Sequence, residues 1–402
     1  MRARAVIGAS YGDEGKGLTV DWLAAPDGPA ALVVRSNGGA QATHTVVRPN
    51  GGRHVFHHIG LAAFHSARTH LSRFMVSHPV LFAEERVQLR EHRVVPVVTA
   101  DPRGFVTTPW DMMVNQAIEF ARGGGWHGSC GLRFGVSVGR CEAGNSPLSV
   151  ADLHDRALAN KVLKIRDEWL PTRIAELELE PGTAPLEFAN SDVLLRNFLD
   201  HCDAFVRNVA LCADADISSE EAVIFEAAQG LLLDQNAAGF PFLTRSNTGM
   251  ANIAAIAAEA GIADVDPVYV TRCYLTRHGR GPMEDERDIA RWFTIDDPTN
   301  RPNPWQESLR FGLIDPTRLG ARIRSDIAVA GVSGAASLAV TCLDQASASF
   351  AWLEGRNIVE GGRAHFIDAL THAVGLPVEV EFSCSINTFS ANKMQNVFSL
   401  AG

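Results

Sequence analysis

Residues Ala5 to Ile7 are apolar and β-prone, and Gly8-Ala9-Ser10-Tyr11-Gly12-Asp13-Glu14-Gly15-Lys16-Gly17 follows without a break. Leu18 to Ala24 then reads as an amphipathic helix. A strand that runs through a glycine-rich loop into a helix aims backbone N–H groups and a helix N-terminus at one point, the arrangement that receives a phosphate. Glycines let the backbone approach an anion with no Cβ in the way, and Lys16 adds a positive charge. The spacing is not that of a Walker A motif. Six residues separate Gly8 from Gly15, and Gly17 stands where that motif has a hydroxyl. The competing reading is an ordinary βα turn with a helix-capping Asp, but such a turn has no use for three glycines and a lysine. Asp13 and Glu14 add repulsion beside a phosphate. That is tolerable if a divalent cation sits between them or if the carboxylate takes a proton during a reaction.

A second short strand, Ala31 to Arg35, runs into Ser36-Asn37-Gly38-Gly39-Ala40-Gln41-Ala42-Thr43-His44-Thr45. A polar loop after a strand is where parallel sheets hold ligands. His44 titrates near neutrality and can serve a phosphate oxygen, although a lone loop histidine is more often incidental. At 402 residues the chain can build one large α/β domain or two ordinary ones, and its 46% hydrophobic content is ample for a core. A net charge of −10 argues against a nucleic-acid groove without forbidding a local basic pocket. The seven cysteines contain no C-x-x-C pair and read as reduced thiols of a cytoplasmic protein. No apolar run approaches the roughly 20 residues needed to span a bilayer, and the N-terminus enters a strand directly. A soluble protein with no membrane partner is expected.

Further along, His57, His58 and His65 lack metal-ligand spacing and read as structural. Pro79 to Arg90 reads as a helix opened by proline, and Gly123 to Gly135 is too glycine-rich to be anything but a loop. Residues 149–212 read as mostly helical, with Ser149 and Asp152 as a capping-box variant. Val193, Leu194, Phe198, Leu199, Cys202, Phe205, Val206 and Val209 form a stripe expected in the core. Strands are expected at Ala222–Phe225, Val268–Leu275, Ala339–Asp344 and Val378–Phe382. Helices are expected after Thr248, as N-cap, and over Ala364–Ala373, closed by Gly375 and Pro377. Alternating strands and helices with functional loops at strand ends give an α/β fold: a single large domain with a mostly parallel central sheet flanked by helices, P-loop-NTPase-like.

Tyr11 to Gly17 resembles the fingerprint of the adenylosuccinate synthetases, an aromatic residue followed by Gly-Asp-Glu-Gly-Lys-Gly. The resemblance recurs at Glu226-Ala227-Ala228-Gln229-Gly230-Leu231-Leu232-Leu233-Asp234 and at Pro241-Phe242-Leu243-Thr244-Arg245-Ser246-Asn247-Thr248. It implies that Gly12, Glu14, Gly15, Lys16 and Gly17 hold a nucleoside triphosphate, with Asp13 as catalytic base and magnesium ligand and Thr43 at the magnesium-binding carbonyl. It implies that His44, which polarises the transferred phosphate and the purine oxygen, and Lys16 are catalytic with Asp13, and that Asp344 reads the donor base, with GTP or ATP left open. Gln41, Ser129, Cys130, Arg140, Gln229 and Thr244 fall at acceptor-nucleotide positions, Arg140 as stand-in for an arginine sent across a dimer interface.

The main departure lies at 298–315, where the family's arginine run is reduced to Arg310, with Thr299, Asn300 and Arg301 nearby as the remaining aspartate-binding candidates. That form looks more like the phage 2-aminoadenylosuccinate synthetases, which use dGMP but replace the loop aspartate that this chain keeps as Asp13. The resemblance implies a Mg²⁺-dependent homodimer joining L-aspartate to a purine nucleoside monophosphate. IMP is the expected acceptor because Asp13 is retained. Alternatives are dGMP, a ligase or phosphotransferase with another acceptor, and a non-catalytic nucleotide-binding regulator.

Overall fold

The computed structural model describes residues 2–41, 44–47, 53–123, 134–295, 308–331 and 334–382, with backbone alone for 44–47 and 53. Its frame is one nine-stranded sheet. The strands are β1 (Arg2–Gly8), β2 (Ala31–Arg35), β3 (Arg68–Leu71), β4 (Val98–Ala100), β5 (Val209–Leu211), β6 (Ala222–Gly230), β7 (Asp266–Arg272), β8 (Ser337–Thr341) and β9 (Val378–Glu381). They lie in the order β9-β8-β7-β1-β6-β2-β3-β4-β5. Every pairing in the sheet is parallel. Strands buried on both faces read as unbroken apolar runs, and β2, β6 and β8 do so almost throughout.

Side chains alternate between two cores, as a period of two requires. Val6, Val33 and Ile224 face the core covered by helices Lys16–Ala24, Pro79–Glu91, Pro109–Arg122 and Asp192–Val206. Their neighbours Ile7, Val34 and Phe225 face the core covered by helices Met250–Glu259, Pro316–Ala330 and Arg363–Val374. β1 leads out to β2 across a gap that β6 later fills, and β7 then starts the opposite wing. The order therefore reverses around β1, where an open parallel sheet leaves a crevice at its carboxyl ends.

Local signals set several boundaries. Ser149 and Asp152 close the expected capping box, and Thr108 with Asp111 makes another. Gly375 ends its helix in the left-handed region at φ 77°. Three readings change. The helix after Thr248 begins at Met250, because Asp326 of another helix accepts the Met250 N–H at 3.0 Å while the Thr248 hydroxyl donates to Gly230 O. Residues 149–212 end in edge strand β5, so Val209 belongs to the sheet. Val193 is 58% exposed, because only Phe198, Cys202 and Phe205 of its helix lie fully in the core. The described cysteines are all free thiols.

His78 caps helix Pro79–Glu91, its Nδ1 accepting from Leu81 N at 3.4 Å. Burial, reinforced by His58, lowers its pKa to about 3. The folded state therefore keeps His78 neutral while the unfolded state protonates it below about pH 6.5. The contribution of His78 to stability is full above that value and falls by up to about 1.4 kcal/mol per pH unit between pH 6.5 and pH 3. Urea titrations across this window should show the slope. His78→Asn, which keeps a capping acceptor without the titrating ring, should make it shallower, leaving the part due to His54 and His58, whose pKa values burial also lowers.

Candidate functional site

The loop from Gly8 to Gly17 lies at the carboxyl ends of β1, β6 and β8, wedged against backbone. Gly12 adopts φ 110° and Gly15 φ 98°. A Cβ on Gly12 would stand 3.1 Å from the Cα of Gln229, and one on Gly15 would stand 2.9 Å from the Thr341 methyl. Gly230 meets Ser10 O at a distance no side chain allows. Glycine is required at these points by close approach. Inside the loop, Glu14 accepts hydrogen bonds from Ser10 N at 3.1 Å and Gly12 N at 2.8 Å. Lys16 turns inward, donating to Gly12 O at 2.6 Å with its Nζ 3.7 Å from Glu14 Oε2. Burial pushes the Glu14 carboxyl up and the Lys16 ammonium down. Beneath them Arg35 and Glu226, both fully buried, pair at 2.7 Å.

Asp13 differs from its neighbours. Its side chain is 30% exposed, whereas those of Glu14 and Lys16 are 6% and 1% exposed. Arg272, at the end of β7, donates from Nε to the Asp13 main-chain carbonyl. Thr341, at the end of β8, donates to Glu14 O at 2.7 Å. His278 Nε2 lies 3.7 Å from Asp13 Oδ2. Tyr11 ties the loop to the far wall. Its hydroxyl accepts from Glu284 N at 2.9 Å, its ring lies under the Arg277 guanidinium, and Glu284 pairs with Arg322. Sequence reasoning did not single out Arg272, His278 or Thr341. The available signal was a polar residue at or just past the end of an apolar strand.

The second wall comes from β2 and β6. Asn37 pairs with the backbone of Ala228 in both directions, at 2.7 and 3.1 Å. Gln229 follows in the left-handed region at φ 66°, which sets its half-buried side chain off the line of the strand. Thr244 is half-buried, its N–H bonded to Leu233 O at 2.9 Å. Gln41 is half-buried close over Gly39. Asp344 sits exposed on a short 3₁₀ turn after β8. Thr43, Ser129, Cys130, Thr299, Asn300 and Arg301 lie outside the described residues. So does the side chain of His44, whose backbone opens strand His44–Val47.

Two candidates are committed elsewhere. Arg140 is fully buried, donates twice to Asp111 at 2.8 Å and also reaches Ser146 O and Val106 O. It holds a helix to its neighbours within the chain. Arg310 donates to Gly279 O and Gly281 O, both at 2.8 Å, and pairs with Glu286 at 2.6 Å. Its work here is to shape the 279–281 turn.

With this geometry in view, residues 5–301 match the profile described as adenylosuccinate synthetase. The chain belongs to the adenylosuccinate synthetase family. It is 31% identical over 288 residues to the adenylosuccinate synthetase of Anaeromyxobacter sp. (strain Fw109-5), covering 70% of this chain and 64% of that relative. It is 26% identical over 358 residues to that of Halothermothrix orenii, covering 86% and 78%. The chain thus spans 64% of the length of the first of these relatives. A fully ligated adenylosuccinate synthetase from Plasmodium falciparum shares the fold with a TM-score of 0.69 at 17% identity, over 94% of this chain and 96% of that one. The cyanophage S-2L succinoaminodeoxyadenylate synthetase, bound to dGMP and dATP, does so with 0.58 at 16%, over 99% and 98%.

Arg140→Met would leave the Asp111 carboxylate buried and unpaired, which costs about 3–5 kcal/mol. Chemical denaturation should show that loss, with affinity for a purine monophosphate unchanged in the folded fraction.

Proposed function

We propose that the chain is a nucleoside-triphosphate-dependent ligase that joins L-aspartate to C6 of a 6-oxopurine nucleoside monophosphate, with IMP as acceptor. The observation that carries this reading is the outward Asp13 carboxylate on a loop whose other two charges are sealed inside it. A lactam oxygen is a poor leaving group, so the amine of aspartate can displace it only once it is phosphorylated. Asp13 takes the N1 proton of the purine, and negative charge develops on O6, which attacks the γ-phosphate. Loop N–H groups of 12–17 and Lys16 serve the triphosphate, which requires the ammonium to leave Gly12 O. His44 serves the charge on oxygen and phosphate. Gln41, Gln229 and Thr244 face the acceptor, with Ser129 and Cys130 at its phosphate, and Asp344 faces the donor base, GTP or ATP.

Asp13 offers hard oxygen ligands, and Mg²⁺ is commonly held by one or two carboxylates together with substrate phosphates, so the donor set fits that ion. When bound it would offset phosphate charge. Thr299, Asn300, Arg301 and Arg310 are the candidates for aspartate, Arg310 having to release Gly279 O and Gly281 O to serve it. A homodimer in the cytoplasm accompanies the reading by family likeness. The second reading takes dGMP as acceptor. It is favoured by the shared fold with the cyanophage enzyme solved with dGMP.

Phosphate release should require aspartate, a triphosphate and IMP, and Asp13→Asn should lower kcat by about 10²–10⁴-fold. Turnover with dGMP alone moves the chain to the second reading, and silence with both monophosphates ends the ligase assignment.

A further inference from the structure

We infer that His278 is a positioning residue for the Asp13 carboxylate, an inference that deepens the ligase reading and rests on it. Asp13 lies in a loop whose glycines occupy positive φ on either side, at Gly12 and Gly15. Its carboxylate has two side-chain torsions of its own to settle. A catalytic base that wanders by 1 Å loses much of its rate. The main chain of Asp13 is fixed through its carbonyl by Arg272. The carboxylate is approached by His278, whose Nε2 stands 3.7 Å from Oδ2. That distance must shorten by roughly 0.8 Å to become a hydrogen bond. Such a bond would fix the rotamer of the carboxylate while each oxygen keeps a lone pair for other partners.

His278 is itself unusually well placed. It follows strand Leu275–Arg277, which pairs antiparallel with Arg310–Gly312. On one side of it Arg277 donates to Phe242 O at 2.9 Å, and on the other Arg310 grips Gly279 O and Gly281 O. Two guanidinium groups thus clamp the backbone that carries the imidazole. Arg310 thereby helps to fix the turn that carries His278. The neutral ring with its proton on Nε2 is a sufficient donor, so the role is geometric and needs no change of charge.

The test compares wild type, His278→Ala and His278→Gln by steady-state kinetics and by crystal structures. The alanine variant should lose about tenfold or more in kcat with every KM nearly unchanged. Glutamine, which restores an N–H donor, should recover most of that loss. Crystals should show one Asp13 carboxylate orientation in wild type and a turned or split one in the alanine variant. If alanine destabilises the fold, His278→Leu, similar in bulk without a donor, takes its place. An unchanged kcat, a rise in KM alone, equal kcat in the glutamine and donor-free variants, or an unmoved Asp13 overturns the inference. Failure of wild type with every acceptor tested would instead overturn the ligase reading, while the crystal comparison still decides the positioning.

Discussion

The fit of the first loop between strand ends governs everything else in the cleft. Gly12 and Gly230 let the backbones of β1's loop and β6 touch, and Gly15 admits the Thr341 methyl. From this contact follow the inward direction of Glu14 and Lys16 and the outward direction of Asp13. A side chain at any of these glycines would push the loop outward and change which charges are sealed. The order reversal of the sheet around β1 is what brings the ends of β6, β7 and β8 within reach of one ten-residue stretch.

Charge is buried here at real cost. Arg35 with Glu226 and Lys16 with Glu14 are taken out of water near one another, and attraction within each pair only partly offsets desolvation. The loop therefore holds its lysine against Gly12 O under tension between burial and pairing. An incoming phosphate offers the ammonium a stronger partner. The loop thus holds a cation that has reason to move.

Much of this was legible in the residues. The strand Ala31–Arg35 and the loop Gly8–Gly17 carry local signatures, and local signatures survive folding. What escaped depends on distant partners. Arg140 looked available because Asp111, which claims it, is far away in the chain. Thr248 looked like a cap because Asp326 cannot be seen from the neighbourhood of Met250. Val193 has the spacing of a core stripe, but it belongs to the first turn of a helix whose buried contacts come later. Arg272, Thr341 and His278 act through strand-end proximity, and periodicity says which face a side chain takes but not which strand lies beside it.

β1 sits in the middle of the sheet between β6 and β7, strands that end at Gly230 and Arg272. On a ribosome β1 and the loop that follows it are made well before either lateral partner, because β6 begins only at Ala222 and β7 only at Asp266. At about 5–20 residues per second that is a wait of tens of seconds for an unpaired apolar strand. The loop cannot take its seat before those strands and β8 are made, since it is wedged against Gln229, Gly230 and Thr341.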